Sequence, residues 1–208
     1  MTRVLVMTSV SSRIASYASM TIPRVAAYCL KHGYSHLVLN ENYERAAGMT
    51  ARLAGLLHHD WFDVIWTLDA DCVIANLDVQ IHALGCLGPD VTICEEGIVD
   101  WNLINCGSIV WRSTDRTRWL LEAIQERQSE WRSLPCIWQT WLHRPEFHGA
   151  VTVAPLRSFN STAWTHPGGS KGESGCHWRP GDLVFHPCGI YPLEARAVAI
   201  SEVLNATG

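Results

Sequence analysis

Lysine is scarce in this sequence: Lys31 and Lys171 are the two lysines among its 16 basic residues, and the formal net charge is −4. Charged residues make up only 17% of the chain. A protein that holds nucleic acid mainly through the backbone phosphates needs a basic surface, and no run of basic residues supplies one here. The composition therefore argues against nonspecific binding of nucleic acid.

Long apolar runs are also missing. No segment approaches the roughly 20 apolar residues that span a bilayer, and the apolar stretch near the N-terminus is too short for a signal peptide. We therefore expect a cytoplasmic protein. The eight cysteines are then expected to be buried free thiols and not a disulfide framework.

What the chain does have is enough apolar residues for a core and a regular alternation of patterns. Its 208 residues are 48% hydrophobic, which predicts one domain over residues 1–208. The predicted elements of the first half are strand 4–10, helix 22–30, strand 36–40, helix 49–57 and strand 63–68. The first of these helices has an apolar face that includes Leu30, with Pro23 near its start and Gly33 just beyond its end. Strands that alternate with helices at this spacing imply parallel crossovers, so we expect an α/β fold with a mostly parallel sheet flanked by helices.

The second half mixes element types. Strands are predicted at 91–94, 108–111 and 183–185, and helices are predicted after Thr114, over 137–142 and after Pro192. Residues 165–181 are rich in glycine and have no apolar period, which indicates a long mobile loop.

The sharpest local feature is Asp69-Ala70-Asp71, directly after the apolar strand. Residues two apart in extended backbone point the same way, so both carboxylates can converge beyond the strand's carboxyl end. Open α/β sheets place their ligands at that edge. Two converging carboxylates repel each other unless a cation lies between them, and Mg²⁺ or Mn²⁺ prefers such oxygen ligands. The pattern predicts a metal site, although a solvated strand end has the same sequence.

Three further segments follow in order. They are Asn105-Cys106-Gly107 before the strand 108–112, Trp138-Gln139-Thr140 in a predicted helix, and the C-terminal segment 181–189 with His186 and Gly189. Together with the Asp69-Ala70-Asp71 block and with the tyrosine-containing segments at 17–18 and 28–34, they resemble the GT-A glycosyltransferases. Within that Rossmann-like fold, the similarity is to the retaining family of galactosyl-, mannosyl- and xylosyltransferases.

The resemblance implies roles for particular residues. Asp69, Asp71 and His186 would hold Mn²⁺ or Mg²⁺, and Asn105, Gly107 and Gln139 would line the sugar and acceptor pocket. Arg52 falls where these enzymes often carry a lysine. Lys171 in the loop, and Gly189 with its bare backbone, would approach the diphosphate of the donor. The resemblance thus implies that Arg52, Lys171 and Gly189 bind the donor.

The implied reaction moves a hexose or pentose from a nucleotide-diphosphate sugar, with a UDP-sugar favoured, to an acceptor hydroxyl with retention at the anomeric carbon. Residues 1–100 would form the nucleotide-binding half and residues 101–208 the acceptor half. A glycan, a lipid-linked sugar, a small metabolite and a hydroxylated base in DNA all remain open as the acceptor. Because the membrane anchor of Golgi relatives is missing, we expect a bacterial or viral enzyme.

This sequence departs from the family pattern at two positions. Cys106 stands where the family has Thr or Ser, which removes a hydroxyl donor. Arg52 in place of Lys keeps the charge and changes its geometry.

A phosphatase is the first alternative. The segment from Asp69 to Val73 also resembles the first motif of haloacid-dehalogenase-type phosphatases, in which the first Asp is a nucleophile and the second an acid and base. Lys171 and Asp182 would then supply later motifs. Two strand-helix units precede this motif, however, and His186 stands where a further acid is expected.

A zinc-stabilised binding module is the second alternative. Cys176, His177, His186 and Cys188 offer four ligands, but their spacing matches no common zinc pattern.

Overall fold

The computed structural model describes residues 2–10, 14–40, 47–98, 102–127, 145–155, 157–162, 177–188, 190 and 192–208. The predicted helix at 137–142 and most of the predicted loop, residues 165–176, lie outside these ranges.

Nine strands, four α-helices and two 3₁₀ turns make up the described part of the chain. The strands are β1 (Val4–Val10), β2 (Ser35–Asn40), β3 (Val64–Asp69), β4 (Val73–Ile74), β5 (Val91–Ile98), β6 (Asn102–Arg112), β7 (Val151–Ala154), β8 (Ser161–Thr162) and β9 (Val184–His186). The helices are α1 (Ala15–His32), α2 (Ala47–His58), α3 (Asp115–Arg127) and α4 (Leu193–Thr207), and the 3₁₀ turns are Ile81–Ala83 and Pro145–Ala150.

The central sheet has six strands in the order β2-β1-β3-β6-β5-β7. The pairs β1–β2, β1–β3 and β5–β7 are parallel, and β6 runs antiparallel to both of its neighbours. A smaller sheet has the order β4-β9-β8. The fold is therefore a mixed α/β domain with a mostly parallel central sheet, as the sequence predicts.

Two apolar layers cover the central sheet, one on each face. Leu5 and Ile65 point into the layer that α2 and α3 complete, and Val6 and Trp66 point into the layer that α1 completes. Because both faces are buried, these strands are continuous apolar runs with no polar alternation. A third cluster joins α4 to α1 and to the small sheet, and Ile200 lies fully buried within it.

Helix α1 is longer than the periodicity predicts. It begins at Ala15, so Pro23 lies inside the helix and not at its start, and Leu30 is 85% exposed instead of buried. Serines interrupt the apolar pattern of the first turns, which is why the sequence does not predict them. The hydroxyl of one of these serines, Ser19, donates to the Ser16 carbonyl within the helix at 2.7 Å. The predicted end is confirmed, since Gly33 ends the helix at φ 67°.

Strand β6 also begins earlier than predicted, so Asn105-Cys106-Gly107 lies within a strand and not before one. The pairing with β5 is interrupted there: Ile93 pairs with Ile109, and the next residue, Cys94, pairs with Asn105. Residues 106–108 therefore bulge away from β5. A bulge redirects side chains that a regular strand would send to the two faces.

The remaining expectations concern helix caps, thiols and membrane spans. The Thr114 hydroxyl accepts a hydrogen bond from the amide of Thr117 at 3.1 Å, which confirms the predicted cap of α3. None of the cysteines that the structure describes forms a disulfide, and Cys29, Cys72 and Cys94 are buried. None of the described helices is long and apolar enough to cross a membrane.

Candidate active site

The two acids lie at the carboxyl edge of the parallel strands. Asp69 ends β3 opposite Ser9 of β1, and the amide of Cys72 donates to the carbonyl of Asp69 at 2.9 Å, which closes a tight turn. Asp71 lies inside this turn and is 5% exposed, whereas the Asp69 side chain remains 31% exposed. One carboxylate is therefore buried and the other lies at the entrance of the same site.

His186 reaches the acids through the small sheet. Strand β4 follows directly after the acidic turn and pairs antiparallel with β9, so that Val73 lies opposite Phe185. This pairing brings the next residue, His186, back to the turn. Its Nε2 lies 3.5 Å from Asp71 Oδ1 and 3.9 Å from Asp69 Oδ2. His186 Nε2 thus faces both acids that are predicted to bind metal.

Asn105 fixes the tautomer of His186. Its Oδ1 accepts hydrogen bonds from the Gly107 amide at 2.9 Å and from Asn160 Nδ2 at 2.8 Å, so it is an acceptor. His186 Nδ1 lies 3.1 Å from the same oxygen and must therefore donate. The lone pair of a neutral His186 is then on Nε2, which faces the two acids. Hydrogen bonds of this kind orient metal-binding histidines.

Gly107 provides the surface against which the His186 ring packs. A Cβ atom at this position would come within 2.1 Å of His186 Cε1. The sequence predicts that Asn105 and Gly107 line a sugar pocket. The structure places Asn105 in a buried position behind the histidine, and it places Gly107 against the face of the ring. Both residues position His186.

Arg196 also belongs to the site and is not among the residues predicted from the sequence. Its Nη1 donates to Asp71 Oδ2 at 2.7 Å and its Nε donates to the Ile190 carbonyl at 3.1 Å. A sequence signal was present, because Arg196 precedes the buried Ile200 by one helical turn and so lies on an apolar face of α4. A charge on such a face needs a partner.

The environment shifts the pKa values of the acids in opposite directions. Burial raises the pKa of Asp69 to about 6, with a further increase from Asp71 and opposing effects of His186 and Arg196. Burial also disfavours the charged form of Asp71, but His186 and Arg196 outweigh this effect and lower its pKa.

The pKa values of two neighbouring groups, His186 and Tyr17, also shift. Burial disfavours the charged form of His186, but Cys72, Cys188 and Asp71 raise its pKa well above the ordinary histidine value. Burial and the nearby Asp71 raise the pKa of Tyr17, which therefore stays a neutral phenol.

The distance from His186 to each of the two acids fits two ligands of one divalent cation. Two atoms bound to one ion at roughly 2.1 Å lie about 3.0–4.2 Å apart, depending on the angle between them. The distances from His186 Nε2 to the two carboxylate oxygens fall in this range. Two carboxylates and an imidazole that gives up its Nε2 proton on metal binding are ligands that suit Mn²⁺ and Mg²⁺.

Cys72 lies beside this set and was not predicted as a ligand. Among the residues that the structure describes, Asp71, Cys72 and His186 form a group whose ligand atoms lie within 4.8 Å of one another. The Cys72 thiol donates to the Gly107 carbonyl at 3.2 Å, and burial raises its pKa well above the ordinary value. The Cys72 thiol therefore supports the Gly107 backbone.

No contact that the structure describes brings the other predicted site residues to this cluster. Arg52 lies exposed on α2, which follows the carboxyl end of β2. Gln139, Lys171 and Gly189 lie outside the described residues. Their predicted contacts with the donor and acceptor stay predictions.

Comparisons with known proteins address the fold. No protein-family model matches the sequence, and no curated protein matches it. A glycosyltransferase involved in glycosylation of the major capsid of PBCV-1 superposes with a TM-score of 0.74 at 16% identity, over 96% of this chain and 99% of that chain. The galactosyltransferase LgtC, solved with donor and acceptor sugar analogues, gives 0.52 at 13% identity, over 97% and 95% of the two chains.

This chain has the GT-A fold. The glycosyltransferase GlyE of Streptococcus pneumoniae also superposes, with a TM-score of 0.57 at 9% identity, but this chain covers only 63% of that protein. The superpositions establish the GT-A fold. Sequence identities this low leave the activity open. The narrower galactosyl-, mannosyl- and xylosyltransferase family stays a prediction.

Proposed function

We propose that the chain is a metal-dependent glycosyltransferase that moves a sugar from a nucleotide-diphosphate donor, preferably a UDP-sugar, to an acceptor hydroxyl. The observation that carries the proposal is the meeting of Asp69, Asp71 and His186 at the carboxyl edge of a GT-A sheet. Retention at the anomeric carbon is part of the proposal and rests on the resemblance of the sequence motifs.

Asp69, Asp71 and His186 would hold the cation, and the other residues of the site prepare them. A bound divalent ion supplies positive charge that stabilises the departing diphosphate. Asn105 keeps the lone pair of His186 on the side of the acids, and Gly107 lets the ring pack closely. Because Asp71 and His186 are buried, charge interactions at this point are stronger than in bulk water.

The site is asymmetric, which gives the donor one direction of approach. Asp71 and His186 are closed off by protein, and Asp69 keeps the more exposed carboxylate. A diphosphate would therefore arrive from the Asp69 side. We place Lys171, Gly189 and Arg52 as donor-binding residues and Gln139 as a residue of the acceptor pocket, on the same motif resemblance.

The phosphatase alternative loses support at Asp182. Its carboxylate accepts two hydrogen bonds from Arg157, at 2.6 and 2.9 Å, and one from the Ser161 hydroxyl at 2.8 Å. This acid therefore ties β8 to the segment before β9. Its contacts are those of a structural residue.

The zinc alternative also loses support. Asn105 Nδ2 donates to Cys188 Sγ at 3.4 Å, and His186 faces the acids with its other nitrogen, so these two side chains do not point to a common zinc. His177 pairs with Thr162 through its backbone, and Cys176 lies outside the described residues.

The test measures binding of Mn²⁺ and UDP together with sugar transfer. In isothermal titration calorimetry, wild type should bind Mn²⁺, and UDP should bind more tightly when Mn²⁺ is present. Asp71→Asn keeps the shape of the side chain and removes its charge, so Mn²⁺ affinity should fall at least about tenfold. Asp71→Asn should also lose sugar transfer from a panel of UDP-sugars to water or to simple glycosides. For wild type, NMR of the product anomer tests retention.

Asp78→Asn is the matched control. Asp78 is an exposed acid paired with Lys31 on the surface, so this variant loses the same charge outside the site. It should bind Mn²⁺ as wild type does. UDP binding that ignores Mn²⁺, or Mn²⁺ binding that survives Asp71→Asn in a folded protein, would contradict the proposal.

A further inference from the structure

The two oxygens of the Asp71 carboxylate have different partners. Oδ1 faces His186 Nε2 at 3.5 Å, on the side of the site that Asp69 also faces. Oδ2 accepts a charge-assisted hydrogen bond from Arg196 Nη1 at 2.7 Å. A cation placed between the acids and the histidine would therefore find one oxygen of Asp71 available and the other occupied.

Arg196 is held firmly in this position. Its Nε donates to the Ile190 carbonyl at 3.1 Å, and its side chain is only 14% exposed. Helix α4 is fixed in turn by Ile200 and Val203, which are buried against α1 and the small sheet. A planar guanidinium held by hydrogen bonds in fixed directions loses little entropy for each of them and is hard to displace.

One-oxygen binding by Asp71 matters because divalent cations differ in the shells that they accept. Ca²⁺ takes six to eight oxygen ligands and often binds a carboxylate through both oxygens, whereas Mg²⁺ requires a compact octahedron. We infer that Arg196 determines metal specificity: by occupying Asp71 Oδ2 it restricts Asp71 to one metal bond and so favours Mn²⁺ or Mg²⁺ over Ca²⁺. This inference rests on the metal site of the proposed function.

The same contact has a cost in affinity. Arg196 brings a positive charge next to the cation, and like charges at short range in a buried site repel each other. Arg196 therefore weakens the binding of every divalent cation, and it weakens Ca²⁺ most because Ca²⁺ also loses a carboxylate oxygen. Removal of Arg196 should raise both affinities by unequal factors. A role of Arg196 in folding alone would raise neither.

The test uses the metals alone, without nucleotide, on the full chain. Arg196→Met keeps most of the side-chain volume and removes the charge and the donors. The affinities for Mn²⁺ and Ca²⁺ are measured by calorimetry, and their ratio is measured directly by Ca²⁺ displacement of bound Mn²⁺, followed by the EPR signal of free Mn²⁺. We expect tighter binding of both ions and a shift of the ratio toward Ca²⁺ by about tenfold.

Arg118→Met is the matched control. Arg118 is also mostly buried, at 23% exposure, and pairs with Asp60 and Asp115. It bonds to Ser113, whose amide donates to the Asp63 carbonyl at the opposite edge of the sheet, and Asp63 lies roughly 20 Å along the strand from Asp69. This variant loses the same charge and should keep the wild-type ratio. Arg196→Leu, which also lacks the charge and the donors, replaces Arg196→Met if the methionine variant is unfolded by circular dichroism.

The outcomes separate this inference from the proposed function. If wild type binds no Mn²⁺, or if Asp69→Asn leaves Mn²⁺ binding intact, the metal site of the proposed function is wrong. If wild type binds Mn²⁺ through Asp69 while the Arg196 variant keeps the wild-type ratio of the two affinities, the metal site stands and the specificity role of Arg196 is wrong.

Discussion

Position 107 shows how one residue without a side chain sets the geometry of its neighbours. The His186 ring lies where a Cβ of residue 107 would be, and the Gly107 amide and carbonyl bond to Asn105 Oδ1 and to the Cys72 thiol. The backbone of this residue is thus fixed on both sides, so it cannot move away from an added methyl group. The histidine would have to move instead.

We predict that Gly107→Ala moves His186 away from the acids. The buried ring has no free space to enter, so the added methyl should cost about 1–3 kcal/mol of the free energy of unfolding. The loss of a correctly aimed nitrogen should weaken Mn²⁺ binding by about 10- to 100-fold. Urea unfolding and calorimetric titration with Mn²⁺ measure the two effects.

Gly55→Ala is the control for this substitution. Gly55 lies exposed in α2 with no atom within 4 Å of an added Cβ, so alanine there should stabilise the helix by roughly 0.5–1 kcal/mol and leave Mn²⁺ binding unchanged. Equal effects of the two substitutions on Mn²⁺ affinity would show that Gly107 does not position His186.

At the scale of elements, helix α1 supports the acidic turn. The Thr21 hydroxyl, buried in α1, donates to the carbonyl of Ala70 at 2.7 Å. Ala70 is the middle residue of the turn that carries both acids. Tyr17 and Ala18, one turn earlier, pack in the same apolar cluster as Ala70. The helix therefore holds the turn by one hydrogen bond and by apolar contact.

Thr21→Val should separate these two contributions. Valine keeps the shape and removes the donor, which deprives the buried Ala70 carbonyl of this hydrogen bond at a cost of about 1–3 kcal/mol. Mn²⁺ affinity should fall because the spacing of the two acids is less well fixed. Thr21→Ser restores the hydroxyl and should recover most of the Mn²⁺ affinity. If a folded Thr21→Ser variant does not recover Mn²⁺ affinity, the loss in Thr21→Val is due to packing and not to the hydrogen bond.

For the whole molecule, the decisive feature is that the two halves of the chain share one sheet. Strand β6, from residues 102–112, lies between β3 and β5, which both precede it in the sequence. In the small sheet, β9 likewise pairs with β4. The proposed nucleotide-binding and acceptor halves are therefore not separate bodies in the described part of the chain. Either half alone would expose a central sheet edge.

We predict a single cooperative unfolding transition that Mn²⁺ and UDP shift as a whole. Far-ultraviolet circular dichroism and tryptophan fluorescence should give the same midpoint in urea. Saturation at a hundredfold excess over the dissociation constant should add about 2.7 kcal/mol to the free energy of unfolding. Mn²⁺ without UDP, and UDP with a chelator, are the controls. Two separated transitions would contradict the shared sheet, and equal shifts with and without the metal would contradict the joint site.

The sequence alone determined the features that depend on neighbours within a few residues. Strands β1 and β3, the Gly33 and Thr114 caps, and the placement of Asp69 and Asp71 after a buried strand follow from local pattern and backbone chemistry. The motif resemblance also pointed to the GT-A fold and to His186. The start of α1 was missed because serines interrupt the apolar pattern of its first turns, and the extent of β6 was missed because a bulge interrupts its pattern.

The tertiary structure decided the contacts between residues far apart in the chain. The bond from His186 to Asn105 spans 81 positions and the one from Arg196 to Asp71 spans 125, and no local preference encodes either. Asn105 and Gly107 look like pocket residues in the sequence, and only the bulge in β6 turns them toward His186. Arg196 looks like one more charge on a helix. A buried carboxylate gives it a role, because that carboxylate requires a partner and the packing of α4 brings the guanidinium within reach.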